Sequence, residues 1–140
     1  MHYKKIRDHE WAIRIARGEK IISTLSSFCR ENKIEGGAFY GIGAVDEVEL
    51  AHYSVDDKKY SRKKFHEPLE LTNITGTIGV EKEVIVHAHV TLGRPDMSVI
   101  AGHLVEGRIS GTLEVYLTDM PKLLKKYDPE TGLTLFDLSS

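Results

Sequence analysis

The distribution of apolar and polar residues predicts one long helix in a chain that otherwise forms strands. Residues 10–18, EWAIRIARG, alternate with period two, so Trp11, Ile13 and Ile15 share one face of a predicted strand. In residues 19–34, EKIISTLSSFCRENKI, the apolar residues recur at helical spacing, and Asn32 supplies a stop signal near the end. The chain therefore begins with a strand followed by the helix.

From Glu35 to Thr118 the pattern is that of strands separated by glycines. The connections are short, which favours antiparallel pairing of neighbours. After Thr118, residues 119–128 predict a helical turn that begins at an aspartate cap. The apolar run near the C-terminus, within residues 128–138, predicts an edge strand or a contact with a neighbouring subunit. The seven consecutive segments that predict strands are 37–45, 47–55, 58–65, 68–80, 83–92, 98–105 and 108–117.

Composition limits the kind of protein this is. A chain of 140 residues, 41% hydrophobic and 29% charged, is typical of one soluble globular domain, here 1–140. No apolar run approaches the ~20 residues that span a membrane, and the N-terminus lacks the apolar core of a secretory signal. Cys29 has no partner for an internal disulfide, so a cytoplasmic location and a buried, inert thiol are expected. The net charge of -2 gives no overall attraction to a polyanion.

Candidate chemistry lies in the segment 83–92, EVIVHAHVTL. Its alternate apolar residues form an uninterrupted core face, so His87 and His89 point to the opposite face, about 7 Å apart along the strand. A hairpin loop that pairs Leu92 with Ser98 would set His103 opposite His87. A slip of two residues would set it opposite His89 instead, and either register places all three imidazoles on one face.

Two interpretations of the three histidines remain open at this stage. Three converging neutral imidazoles suit Zn²⁺ or a similar divalent ion and leave a fourth coordination position for water or a substrate. Such an open zinc site can acidify water or polarise a carbonyl group. The alternative is a solvated sheet face on which the histidines form hydrogen bonds with water alone.

Several stretches of the chain also resemble a known family. The sequence is similar, over nearly its whole length, to the plant and prokaryote conserved domain, known as the PPC domain. The resemblance implies an α+β fold with a largely antiparallel sheet of about seven strands, a homotrimer, and a fold similar to α-acetolactate decarboxylase. That enzyme binds zinc through an H-x-H pattern and a later third histidine, which implies His87, His89 and His103 as ligands here. The stretches that carry the resemblance are RGEKI, GIGAVDEVEL, EPLELTNITGTIG, VHAHVTLG and GHLVEGRISGTLEV.

Only the histidines match the pattern of the decarboxylase, so further candidates for a metal-dependent site are identified by their own neighbouring residues in the sequence. Glu70, in phase with Thr72 in EPLELTNITG, is a candidate base or water-holding carboxylate, and a surface carboxylate is the alternative. Arg14, between Ala12 and Ala16, has small neighbours that would admit an anionic ligand, and an exposed strand arginine is the alternative.

The sequence leaves three classes of function open. The first is a zinc-dependent lyase or hydrolase that acts on a small carboxylate or carbonyl substrate. The second is a non-catalytic trimer that senses a ligand in the same pocket. The third is a DNA-associated protein that uses the basic run 58–64, although charged edge strands commonly serve to prevent aggregation. The G-R-P of 93–95 is interpreted as a turn, because the basic residues that flank a minor-groove hook are missing.

Overall fold

The strands of this protein wrap around a single helix. The structure, a computed structural model, describes residues 1–139. In those residues no helix is long and apolar enough to span a membrane. The elements in chain order are β1 (His2–Arg7), β2 (Glu10–Ala16), α1 (Ile21–Glu31), β3 (Gly37–Ser54), β4 (Lys59–Phe65), β5 (Leu69–Val80), β6 (Val84–Gly93), β7 (Val99–Asp119), β8 (Lys125–Asp128) and β9 (Leu133–Phe136).

Seven strands form one sheet, in the order β1-β2-β7-β6-β5-β3-β4. All of its ladders are antiparallel, and β3 also pairs with β7, so that β3, β5, β6 and β7 close into a circuit. This architecture confirms the predicted α+β class with one helix and a seven-stranded antiparallel sheet. The sequence pattern did not predict β1, which pairs with β2 at one edge of the sheet.

Two strands are far longer than predicted. β3 unites the segments 37–45 and 47–55, and β7 unites most of 98–105 with 108–117. Gly43 lies inside β3 and not at a turn between two strands. A Cβ at Gly43 would lie 2.2 Å from the carbonyl oxygen of Thr112 on β7, and the β3–β7 register shifts directly after it. This glycine therefore marks a bulge at a close approach of two strands, a role that sequence spacing does not distinguish from a turn.

The helix α1 is confirmed and covers the inner side of the sheet. Its buried face consists of Ile21, Leu25, Phe28 and Cys29. Burial raises the pKa of the Cys29 thiol to about 12, so this thiol stays protonated. The helix ends at its C-cap, Asn32, which was the predicted stop residue.

The N-terminus of α1 is capped by the sheet. Lys20, at the N-cap, makes no capping hydrogen bond with its side chain. Glu106 on β7 accepts hydrogen bonds from the backbone N–H groups of Ile22 at 2.8 Å and Ser23 at 3.1 Å. A carboxylate at this end also meets the positive end of the helix dipole, so Glu106 joins the helix to the strand on which it packs.

The predicted helical turn over 119–128 is wrong. The N–H of Leu123 donates to the carbonyl of Glu35 at 3.1 Å, and its carbonyl accepts from Val80 N–H at 2.8 Å. These bonds to other parts of the chain take the backbone groups that a helical turn would use. The predicted C-terminal strand does form as β9, but it pairs with β8 in a separate two-stranded sheet.

Candidate metal centre

The β6–β7 hairpin sets the positions of the three histidines. The loop between its strands is closed by Arg94 N–H, which donates to the carbonyl of Ser98 at 2.8 Å. Leu92 pairs with Ile100, and His89 pairs with His103. Of the two predicted registers, the structure therefore has the second, in which the five-residue loop lies one residue further along the chain, at 94–98. The core-facing residues of β6 pack inward, so that His87 and His89 lie on the other face, as predicted.

The three imidazoles converge on one point. One ring nitrogen from each of His87, His89 and His103 lies within 4.8 Å of the other two. His87 Nε2 and His103 Nδ1 are 3.1 Å apart, which is hydrogen-bond distance when one of them carries the proton. Ring centroids are separated by 5.0 Å for His87–His103, 5.1 Å for His87–His89 and 5.6 Å for His89–His103. Among residues 1–139 these three form the one such group of metal-ligating side chains.

The donor set fits a zinc ion. Two Zn–N bonds of about 2.0–2.1 Å at a tetrahedral angle place their nitrogens about 3.3–3.4 Å apart. The observed 3.1 Å between His87 and His103 is close to that span, and His89 needs only a small side-chain adjustment from its present separation. With three imidazoles and no carboxylate in the group, one position of a tetrahedral ion stays open, as in catalytic zinc sites.

The surroundings keep the imidazoles in their ligand form. Burial lowers the pKa of His87 to about 4, and the neighbouring His103, His89 and Lys125 act in the same direction. Burial also lowers the pKa of His103, with His89 and Arg62 contributing. Both rings are consequently neutral near pH 7, and a neutral imidazole is the form that binds a metal ion.

A cleft of about 520 Å³, the histidine cleft, opens beside the cluster. One wall comes from the main sheet and the other from the C-terminal hairpin of β8 and β9. The sequence gives no signal for Lys125 in this wall, because the pattern of residues 119–128 predicts a helical turn. The residues lining the histidine cleft are Tyr60, Thr77, Ile85, Val86, His87, His103, Lys125, Gly132, Leu133, Thr134, Leu135 and Phe136.

Glu70 is not brought to the histidines within one chain. It pairs with Gly93, whereas His89 pairs with Thr75, five residues further along β5. At the rise of a strand this is about 16 Å. Glu70 lines a different cleft of about 550 Å³, the Glu70 cleft, together with Arg94.

Arg14 also lies apart from the cluster. It pairs with Glu114 on β7 and with His2 on β1. It lines a cleft of about 310 Å³ that shares no residue with the histidine cleft. Within a single chain, the structure thus brings together the three predicted ligands and separates Glu70 and Arg14 from them.

The basic run 58–64 falls mainly on β4, at an exposed edge of the sheet. Side chains alternate along a strand, so Lys59 and Lys63 lie on one face, while Arg62 and Lys64 lie on the other. The G-R-P of 93–95 begins the hairpin loop. Arg94 there donates hydrogen bonds of 3.0–3.3 Å to the carboxylate of Glu67, so its guanidinium is already paired.

Comparisons with known proteins agree with this geometry. The model of the Plants and Prokaryotes Conserved (PCC) domain matches residues 5–121. No curated protein matches the chain. Among solved structures, a protein proposed to bind DNA, from Bacteroides thetaiotaomicron, is similar at 34% identity and a TM-score of 0.95, over 99% of this chain and 98% of that one.

Two further structures bear on the metal centre and the fold. A metal-containing protein from Archaeoglobus fulgidus is 27% identical, with a TM-score of 0.86, over 91% of this chain and 92% of that one. A Staphylococcus aureus protein of unknown function, similar to α-acetolactate decarboxylase, is 11% identical, with a TM-score of 0.57, over 79% of this chain and 52% of that one. The second likeness shows the fold alone.

Proposed function

This chain belongs to the Plants and Prokaryotes Conserved (PCC) domain family, and on that premise we propose that it binds a divalent metal ion, zinc first, through His87, His89 and His103. The ion would face the histidine cleft, where a small carboxylate or carbonyl ligand binds. One observation carries the proposal, namely the convergence of three imidazole nitrogens within 4.8 Å of one another. The metal-containing relative from Archaeoglobus fulgidus supports it.

The residues around the cluster define what the site can do. A bound zinc ion would supply a Lewis acid at the mouth of the cleft. Ile85, Leu135 and Phe136 give the cleft an apolar wall that would contact the body of a bound ligand. Lyase or hydrolase chemistry on this ligand also needs a proton carrier. Glu70 fills that role only if it comes from a neighbouring protomer, because it lies about 16 Å along its strand from the partner of His89.

The metal assignment is tested by elemental analysis of protein purified without a nickel column. We expect about one metal ion per chain in the wild type and essentially none in the His87→Ala, His89→Ala double variant. Replacement of His52, which is exposed on β3, is the matched control and should leave the metal content unchanged. Equal metal content in the double variant and the wild type would refute the assignment.

We further propose that the chain acts as a homotrimer in the cytoplasm. The apolar and aromatic side chains of Tyr40, Ile42 and Tyr116 are exposed, at 61%, 64% and 53% of their surface. Tyr40 and Tyr116 pair across β3 and β7, so they form one patch that another protomer would cover. Sedimentation equilibrium should give three times the mass of 15.8 kDa, and a monomer would contradict the proposal.

A second candidate function is association with DNA, which the relative from Bacteroides thetaiotaomicron favours by its name. The basic residues of β4 would contact phosphates. Because they divide between two faces of the strand, binding would be weak. It would depend on salt and be insensitive to sequence, since it would rest on phosphate contacts alone. Charge reversal at Lys63 and Lys64 should then lower DNA affinity, and unchanged affinity would remove this candidate.

A further inference from the structure

Lys125 is a buried cation without an anionic partner. Lys125 is 9% exposed. Among residues 1–139 it is the one buried residue with a charged or polar side chain. It makes no salt bridge or side-chain hydrogen bond within residues 1–139, whereas nearby Lys122 pairs with Glu35 at 3.2 Å. Its surroundings supply no candidate either, because no Asp or Glu lines the histidine cleft.

The position of the ammonium group is fixed by packing. Lys125 pairs with Phe136 across the β8–β9 hairpin, and its Nζ lies 4.9 Å from the centre of that ring. The stem occupies space that a side chain at Gly79 would need, because a Cβ there would lie 3.0 Å from both Cγ and Cε of Lys125. Gly79 on β5 therefore leaves the room in which the lysine stem lies.

The hairpin that carries Lys125 is itself held to the sheet. Tyr53 donates its hydroxyl proton to the carbonyl of Thr131 at 2.7 Å, and Lys58 Nζ donates to the carbonyl of Pro129 at 2.6 Å. At the other end, Val80 N–H donates to Leu123 at 2.8 Å. These bonds fix the wall of the cleft, so the ammonium group is a built feature of the site.

An ammonium group in this position calls for a counter-ion. Burial of a charge is unfavourable unless an opposite charge or several hydrogen bonds compensate it, and a cation–π contact compensates it only in part. An anion bound in the cleft would supply the missing partner and would form a charge-assisted hydrogen bond. The rest of the lining is mainly apolar and includes Ile85, Val86, Leu133, Leu135 and Phe136. The anion should therefore carry a short aliphatic body.

We infer that Lys125 is the anion-binding residue of the histidine cleft, and that it takes the carboxylate of a small aliphatic acid. The inference rests on the proposed function, because a metal ion at the three histidines would be the second group that holds the ligand. It adds Lys125, whose positive charge selects an anionic ligand. The histidines alone would accept carbonyl and carboxylate ligands alike, whereas a lysine on the opposite wall favours the acid.

The test uses isobutyrate and its neutral isostere isobutyramide as probes, with ligand-detected NMR on the metal-loaded protein. We expect isobutyrate to bind the wild type and to bind Lys125→Met at least ~10-fold more weakly. Lys125→Arg should restore part of the affinity. Lys126→Met is the matched control, because Lys126 is the next residue on β8 and is exposed, and it should bind as the wild type does. Isobutyramide should bind more weakly than isobutyrate, with no dependence on residue 125.

Three results would overturn the inference. They are equal isobutyrate affinity in the wild type and Lys125→Met, no isobutyrate binding to the metal-loaded wild type, and an equal loss in Lys126→Met. Lys125→Gln provides a second neutral variant should the methionine variant fail to fold. Metal content, measured on the same samples, separates the two proposals. Normal metal content with affinity independent of Lys125 refutes the inference alone, whereas affinity that depends on Lys125 without metal uptake refutes the proposed function alone.

Discussion

Two clefts of similar volume, about 520 Å³ and 550 Å³, differ in how their charged groups are paired. In the Glu70 cleft, Arg94 donates three hydrogen bonds of 3.0–3.3 Å to Glu67. The histidine cleft is lined by Lys125, His87 and His103, and by no carboxylate. The first cleft has its one cation paired with a carboxylate, whereas the second leaves its lysine and imidazoles available to an anion and a metal ion.

This difference separates a structural use of charge from a functional one. The pair of Arg94 with Glu67 holds the loop between β6 and β7, and its charge is compensated within the chain. Unpaired groups are unfavourable for folding, and they are typical of binding sites, where a ligand supplies the missing partner. Metal and ligand binding should therefore depend on residues of the histidine cleft and be insensitive to residues of the Glu70 cleft.

The largest effect is expected at His103, which belongs to the histidine cleft. His103→Ala removes one of three ligands, so metal affinity should fall by more than the ~10–100-fold that the loss of a mere supporting group costs. Competition with a chromophoric chelator measures this affinity. Arg94→Met, in the Glu70 cleft, is the control and should bind metal as the wild type does. Equal losses in the two variants would erase the distinction between the clefts.

A smaller effect is expected from pH on the metal-free protein. The pKa of His87 is about 4 in the folded chain, below the ordinary value of 6.5, because burial disfavours the charged ring. Between these values the unfolded chain binds a proton that the folded chain does not, so stability should fall as the pH drops from 6.5 towards 4. His103, whose pKa is also lowered, acts in the same direction.

Urea unfolding of the metal-free protein at pH 7 and pH 5 checks this expectation. The midpoint should be lower at pH 5, and the difference should shrink in a His87→Ala, His103→Ala variant. The guanidinium of Arg94 provides the contrast, because its hydrogen bonds to Glu67 raise its pKa further and it stays charged throughout this range. A pH dependence that is identical in the variant and the wild type would contradict the assigned cause.

A still smaller effect is expected when the pair in the Glu70 cleft is broken. Arg94→Met removes a half-exposed ion pair, and such pairs contribute little to stability in solution. The melting temperature should fall only slightly, while metal content stays unchanged. Differential scanning calorimetry measures the melting temperature, and elemental analysis measures the metal content. A loss of metal in this variant would mean that the two clefts are coupled through the hairpin loop.

Most of the fold and the clustering of the three histidines could be predicted, because alternation along a strand specifies faces. The apolar residues of β6 fix which side faces the core, and His87 and His89 follow from that. The register of His103 stayed open between two values, since it depends on where the five-residue loop begins and the sequence permits both positions. In the structure the loop is 94–98, and His103 lies opposite His89.

The features that the sequence did not predict depend on contacts distant in the chain. Lys125 lies in a segment whose pattern suits a helical turn, and bonds from Glu35 and Val80 decide its conformation. The same holds for Gly43, which is a bulge because Thr112 approaches it. The Glu70 hypothesis used strand phase alone, and phase gives the face of a sheet but not the distance along it.

The smallest effect is expected from Glu70→Gln. Glu70 is exposed and lies about 16 Å along β5 from Thr75, the partner of His89, so its charge is separated from the cluster by water and by more than a Debye length at physiological salt. Metal affinity and isobutyrate binding should both match the wild type. A clear loss of either in Glu70→Gln would instead place this carboxylate at the metal centre of an adjoining protomer. Mixing Glu70→Gln chains with His87→Ala chains would then restore function in part. The restored sites are those in which the Glu70→Gln chain supplies the histidines and the His87→Ala chain supplies the carboxylate.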